Sequence, residues 1–330
     1  MYHLTKFCRT VLVMGCILGC RKAALAMSAG ISVGRSPFLR VDAPRKNPNG
    51  DESVQDMKQR QILAERAKLF DLAGNSDHAM LAAAFMNWES LKTGGGERKR
   101  YCESLGLSFN GMKDILQLVN QYGSSLSAAG FGESAESNRN IRSWRVLRTC
   151  AISAMAPGQL VRVQRPSTKY EETAEGSREK EGVAKELKFF IRLEEEESSA
   201  IESQRPKEER VFIHPSSALF SVGNYSCPWL VYHSMVKTSK AFLRDATECS
   251  AYALLLFGGE MTVEARNGLI MVDGWGKLSA NARIGALIRG LRAKIDDLLA
   301  EKIKDPTTDI SDTPEMKLIV KLLLTDGLGV

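Results

Sequence analysis

Between two strand-forming runs the chain reads Lys237-Thr238-Ser239-Lys240, two cations and two hydroxyls with no acid among their near neighbours. Such groups suit phosphate oxygens, because the ammonium supplies charge and the hydroxyl donates a hydrogen bond beside it. A solvated strand end would carry the same residues. Lys237 and Lys240 are three positions apart, so a straight strand would aim them at opposite faces. Only a bulge or turn at Thr238-Ser239 lets both meet one polyanion.

A second cluster, His214-Pro215-Ser216-Ser217, follows the strand-like run Arg210–His214. It supplies an imidazole, two hydroxyls and a rigid turn, which at a barrel rim can bond splayed bases or ribose hydroxyls. Taken alone it is also a local turn with a serine cap. Arg162, Arg165 and Lys169 around the first strand have the same two readings. Three basic or polar clusters near strand ends of one small β unit together point to a nucleic-acid groove.

Other chemistries lack their residues. No GxxxxGK[ST] loop is present to cradle a nucleoside triphosphate. Thr93–Lys99 (TGGGERK) follows a helical pattern rather than a strand and lacks the Lys-Ser/Thr pair, so it reads as a linker between helices. There is no GxSxG elbow and no HExxH pair. Glu194–Glu197 could attract a cation, but consecutive acids on a loop do not set a coordination geometry. The seven cysteines form no CxxC pair and the four histidines are scattered, which implies buried thiols in a reducing compartment and no metal site. A net charge of +6 on 330 residues permits an anionic partner without requiring one.

The elements that must hold these clusters change period along the chain. Thr10–Ile31 is rich in small and aliphatic residues and predicts two tightly packed helices with a corner at Gly19–Lys22. The run resembles a secretory signal ending at Ala24–Ala26, but Arg21 and Lys22 stand where such signals avoid charge, and about eleven apolar residues do not span a bilayer. Asp42–Gly50 reads as a loop and Gln55–Leu72 as a helix stopped at Gly74-Asn75. Ser76 can cap a helix whose apolar face is Met80, Leu81, Ala84, Phe85 and Trp88. Tyr101–Leu107, Gly111–Gln121 and Asn140–Met155 read as further helices, with Ser124–Asn138 loose between the last two.

After Pro157 come strand-like runs at Leu160–Gln164, Glu186–Arg192, Arg210–His214 and Trp229–Val236, which predict a small barrel or sandwich. Glu194–Glu209 reads as a solvated acidic insertion in a hairpin. Ser250–Gly258 is a short buried helix, and Met261–Trp275 a strand pair turned at Asn267-Gly268. An amphipathic helix follows with the stripe Ile284, Leu287, Ile288, Leu291, Ile295, Leu298 and Ile303, ended by Asp305-Pro306. Thr313-Pro314 starts a last short helix.

In order, Ala184–Arg192 (AKELKFFIR), Arg210–Ser217 (RVFIHPSS), Trp229–Gly259 and Val272–Ser279 (VDGWGKLS) resemble the C-terminal region of DEAH-box/RNA-helicase-A-type ATP-dependent RNA helicases. Upstream, Gly15–Cys20 (GCILGC), Ser36-Pro37-Phe38, Ser76–Trp88 and Tyr101–Leu107 resemble the helicase-associated helical domain of that family. The resemblance implies an α+β multidomain chain: a ratchet-like helical bundle over 1–150 with a loop at 39–55, an OB-fold barrel over 151–278 with an acidic insertion at 194–209, and a C-terminal helical extension over 279–330. It assigns single-stranded RNA to His214, Ser216, Ser217, Lys237, Thr238 and Lys240, and less firmly to Arg162 and Arg165. ATP and Mg would belong to motor domains in cis, which these residues do not contain, and this chain would hold no cofactor. Most of the winged-helix domain expected ahead of the bundle is also missing, so a fragment is expected. A stand-alone RNA-binding or adaptor protein is the alternative. A monomer in the cytoplasm or nucleus, neither secreted nor membrane-bound, is expected. Asn120–Ser124 (NQYGS) lacks the basic residue usual in the family, and Met155–Gly158 (MAPG) departs from its tyrosine-containing turn.

Overall fold

The computed structural model of the chain describes residues 5–42, 53–94, 96–167, 170–173, 176–179, 182–193 and 207–327. They form two compact units. The first holds the chain up to Gly74, His78–Cys150 and Ala300–Thr313; the second holds Asn75–Asp77, Ala151–Leu299 and the chain from Pro314 onward.

The first unit is helical: α1 (Lys6–Ile17), α2 (Arg21–Ser32), α3 (Val54–Ala73), α4 (Asp77–Ser90), α5 (Glu97–Leu105), α6 (Phe109–Ala128) and most of α7 (Trp144–Met155). The N-terminal apolar run is α1 and α2, turned at Gly19, whose φ of 68° suits a residue without Cβ. A Cβ on Gly15 would lie 2.2 Å from that of Ala24, so glycine here lets the two helix backbones approach. Thr5 caps α1 by accepting from the Cys8 N–H. All seven cysteines are thiols, and six are buried.

Two helices differ from expectation. Every residue of α4 from His78 to Phe85 is buried, so its first two turns are enclosed all round, His78 included, rather than on one apolar face. And α6 does not fray at Gln121: Tyr122 and Leu126 continue the buried stripe of Met112, Ile115 and Val119, so it runs on to Ala128.

The second unit is built on a closed barrel of β1 (Leu160–Gln164), β4 (Lys188–Arg192), β5 (Glu208–Ile213), β7 (Ala241–Glu248) and β6 (Trp229–Lys237), in that order around the wall. Four neighbouring pairs are antiparallel; β5 and β7 are parallel, in the register Phe212↔Phe242. Alternation sorts the side chains. Val161, Val163, Phe189, Ile191, Val211, Ile213, Val231 and Leu243 are buried, and the residues between them face outward. A hairpin of β2 (Tyr170–Thr173) and β3 (Gly176–Glu179) lies between β1 and β4 in the chain.

The acidic run is shorter than expected from sequence. Glu208 and Glu209 open β5 by pairing with Arg192 and Ile191, while Glu194–Pro206 lie outside the described residues. The strand pair after α8 (Ala251–Phe257) is in fact three strands, β8 (Met261–Glu264), β9 (Leu269–Val272) and β10 (Gly276–Ser279). Asp273 and Gly274, with φ of 54° and 64°, make the second turn. Of the stripe expected on α9 (Ala282–Lys304), only Ile288 and Ile295 are buried, beside Gly285; Ile284, Leu287 and Ile303 are exposed. Gly285 sets that face, since a Cβ there would meet Val263 at 2.7 Å. The chain closes with α10 (Pro314–Thr325). Among the described residues no helix is long and apolar enough to cross a membrane.

Candidate nucleic-acid interface

The turn expected at Thr238-Ser239 is present. Lys237 pairs with Ala241 across the β6–β7 hairpin, and the Thr238 N–H donates to the Lys240 carbonyl at 2.9 Å. The turn puts both lysines at one end of the barrel, yet they reach different neighbours. Lys237 meets Glu209 at 3.1 Å. Lys240 instead places its Nζ 4.8 Å from the centroid of the Phe212 ring. The Thr238 hydroxyl donates back to the Lys240 carbonyl at 3.3 Å. An exposed ion pair such as Lys237–Glu209 is worth only ~0.2–1 kcal/mol, so a polyanion can compete for the ammonium.

His214 leaves β5 with its N–H donating to the Leu243 carbonyl at 2.9 Å. Its ring stands edge-on to Phe242, centroids 6.0 Å apart and planes at 85°. Phe242 meets Phe212 at 6.0 Å. His214, Phe242, Phe212 and Lys240 therefore form one continuous chain of contacts on the outside of the barrel, and the two clusters read from sequence share a surface. Ser216 is exposed, and its N–H donates to His214 Nδ1 at 3.1 Å. Partial burial and the nearby Arg244 hold the His214 pKa below its ordinary value, with Asp245 opposing.

Ser217 is placed differently. It is buried, donates to Asp77 Oδ2 at 2.6 Å and accepts from the Leu219 N–H. Asp77 also accepts from the backbone N–H groups of Ala218 (2.8 Å) and Ala246 (2.9 Å). This carboxylate clamps the His214–Ala218 loop against β7. Glu248 works similarly two residues further along β7, accepting from Asn75 Nδ2, Ser226 Oγ and the Cys227 N–H.

The first-strand cations divide. The Arg162 guanidinium is held by both carboxylate oxygens of Glu208 and lies 4.8 Å from the Phe190 ring centroid. Phe190 pairs with Arg210 across β4–β5, and Arg210 lies 5.1 Å from the Phe212 ring, so Arg162 sits at the far edge of the same outer face. Arg165 donates to the Tyr225 carbonyl. It follows β1 where that strand pairs with the start of β6, at the opposite end from the Lys237–Lys240 turn, and does not join the surface. Lys169 lies outside the described residues. Sequence alone did not single out Phe190, Arg210, Phe212 and Phe242. Their signal was phase: each occupies an outward position in a strand whose inward positions are aliphatic or aromatic.

Among the described residues no group of three or more His, Cys, Asp or Glu is placed to hold a metal ion. The sequence carries no phosphate loop of the GxxxxGK[ST] form.

Comparison with known proteins identifies the domains. Residues 10–81 match the helicase-associated domain (HA2), ratchet-like; residues 148–261 match an oligonucleotide/oligosaccharide-binding (OB)-fold; residues 268–325 match the C-terminal domain in RNA helicases. The chain therefore carries, in order, a helicase-associated domain, an OB-fold and a C-terminal domain found in RNA helicases, and it is similar to DEAH-box helicases. It is 29% identical over 355 aligned residues to the Mycosarcoma maydis protein named "Putative DEAH-box ATP-dependent helicase", covering 97% of this chain and 20% of that protein. It is 28% identical to mouse "Putative ATP-dependent RNA helicase DHX57", over 96% of this chain and 23% of the relative. It is 27% identical to "ATP-dependent DNA/RNA helicase DHX36" of Bos taurus, over 96% and 28%. The chain thus spans between 20% and 28% of the length of these relatives. The helicase-associated match falls on α1 to α4, and the OB-fold match runs from α7 into β8.

Proposed function

We propose that this chain is an RNA-binding accessory region that supports unwinding by ATP-dependent motor domains, holding single-stranded RNA along the barrel rim. One observation carries the reading: Lys237, Thr238 and Lys240 stand at the β6–β7 turn, and ring contacts join Lys240 to His214 on the same face. In OB-folds the faces of the second and third strands and the turn between the last two are the oligonucleotide-binding elements. Here those elements are β4, β5 and the Lys237–Lys240 turn.

In this reading Lys237, Thr238, Lys240, His214 and Ser216 touch RNA, and Ser217 positions the loop through Asp77. Arg162 and Arg165, already bonded to Glu208 and the Tyr225 carbonyl, add less. Motor domains, on this polypeptide or another, supply ATP hydrolysis; the domain limits are 1–150, 151–278 and 279–330; the protein acts as a monomer in cytoplasm or nucleus. The test is Lys237→Glu with Lys240→Glu, measured by fluorescence anisotropy on a single-stranded RNA. Two reversed charges should weaken binding at least tenfold and flatten its salt dependence, since every phosphate left without its cation takes about 0.7 off the log–log slope. Unchanged affinity in a folded double variant removes the turn from the site.

A further inference from the structure

The outer wall of the barrel carries more aromatic surface than a solvated strand face needs. Phe190, Phe212 and Phe242 all point outward, and none is fully buried. We infer that Phe212 and Phe242 form a platform on which unpaired RNA bases stack, with His214 at its edge as a hydrogen-bond donor to a base. The inference rests on the proposed RNA-binding role and deepens it, from attraction of phosphates to recognition of unpaired bases.

The register sets the two rings side by side. Phe212 and Phe242 are directly paired where β5 meets β7, with centroids 6.0 Å apart and planes tilted by 44°. Lys240 and Arg210 lie against the Phe212 ring at 4.8 and 5.1 Å. An exposed cation–π contact is weaker than a base–aromatic stack, so a base can displace either cation. The displaced group then stands beside the base, where the nucleotide's own phosphate lies. Phe190 is less open, because Arg162 covers it and is held there by Glu208. Of the acids near the platform, Glu208 and Glu209 are bonded to Arg162 and Lys237 and Asp245 lies beside His214, which leaves Arg210 and Lys240 to meet a polyanion.

His214 gives the platform direction. Nδ1 lies 3.1 Å from the Ser216 nitrogen and 2.6 Å from the Ser216 hydroxyl, and the tautomer that accepts the Ser216 N–H there carries its ring proton on Nε2. The free N–H of a ring set edge-on to Phe242 can reach the edge of a base stacked there. A duplex buries its base faces against one another, so the platform selects single strands and tolerates sequence.

A purely structural Phe212–Phe242 pair would stabilise the sheet and leave RNA binding untouched, which makes the inference testable. The 330-residue chain is titrated with labelled oligouridylate and with an abasic ribose-phosphate oligomer of equal length, at equal salt. Wild type should bind the base-bearing strand about tenfold more tightly, the contribution of a base–aromatic stack. Phe212→Leu and Phe242→Leu, which keep apolar bulk, should lose that preference while binding the abasic strand as wild type does. Phe212→Trp should restore it and show tryptophan quenching by the base-bearing strand alone. Equal binding of both strands by wild type overturns the platform without needing any variant to fold. If the strands bind equally but Lys237→Glu with Lys240→Glu still weakens both, the rim stands and the platform falls. If the leucine variants lose the preference while the lysine variant binds normally, the platform stands and the rim falls.

Discussion

A carboxylate cut off from water is costly unless donors replace its hydration. Asp77 meets three donors, Ser217 Oγ and the N–H groups of Ala218 and Ala246, yet burial still outweighs them and pushes its pKa up to about 6. The folded state then binds more protons than the unfolded chain between roughly pH 4 and pH 6. In that window Asp77 makes stability fall as pH rises. Asp77→Asn removes this titration, so the urea midpoint of wild type should drop relative to that of the variant as pH goes from about 4 to about 6; parallel midpoints refute the assignment. Asp77→Ala strands three donors and should cost about 3 kcal/mol at neutral pH. Ser217 shows what sequence leaves hidden at this scale. Its hydroxyl was legible, but its burial was not, because the partner lies 140 residues away. Lys237 and Lys240 were legible as a turn pair because strand geometry forbids both on one face of a straight strand.

Elements were legible where local pattern and tertiary environment agree. The strand runs at 160–164 and 229–236, the Gly74 stop and the Asn267-Gly268 turn all declared themselves through alternation or a residue suited to positive φ. What failed was the choice of face. On α9 an apolar stripe wide enough for two faces was available, and a glycine chose between them: Gly285 lies against Val263, so Ile288 and Ile295 turn inward and Leu287 stays 66% exposed. Ile288→Ala should therefore cost about 2–4 kcal/mol by leaving a cavity, while Leu287→Ala should leave the thermal or urea midpoint nearly unchanged. Equal losses would place both on the packed face. β10 was missed because Asp273-Gly274 reads as the end of a hairpin, whereas here it turns the chain into a third strand. The outward phenylalanines of β4, β5 and β7 were legible in principle, since alternation fixes their phase, but outward aromatic residues matter only once the wall closes and brings them together.

At the scale of the molecule, the proposed role asks how a chain with net charge +6 would hold an anionic strand. A charge of that size, spread over the whole surface, gives no localised grip. On the proposed reading the grip comes from the few cations around the β6–β7 turn and the stacking rings beside them. That predicts a shallow salt dependence. If Lys237, Lys240 and Arg210 each neutralise one phosphate, the slope of log K against log salt should be about −2, from roughly −0.7 per phosphate on a single strand. Lys237→Glu with Lys240→Glu should bring it to about −0.7, with the residual affinity carried by stacking, which releases no counterions. If separate motor domains supply the nucleotide chemistry, as proposed, adding ATP with Mg should change neither affinity nor slope, and the purified chain should show no RNA-stimulated ATP hydrolysis. A slope far steeper than about −2 would mean that a broad basic surface, rather than the rim, holds the strand. ATP-dependent binding by the purified chain would put a nucleotide site where the sequence offers no loop to form one.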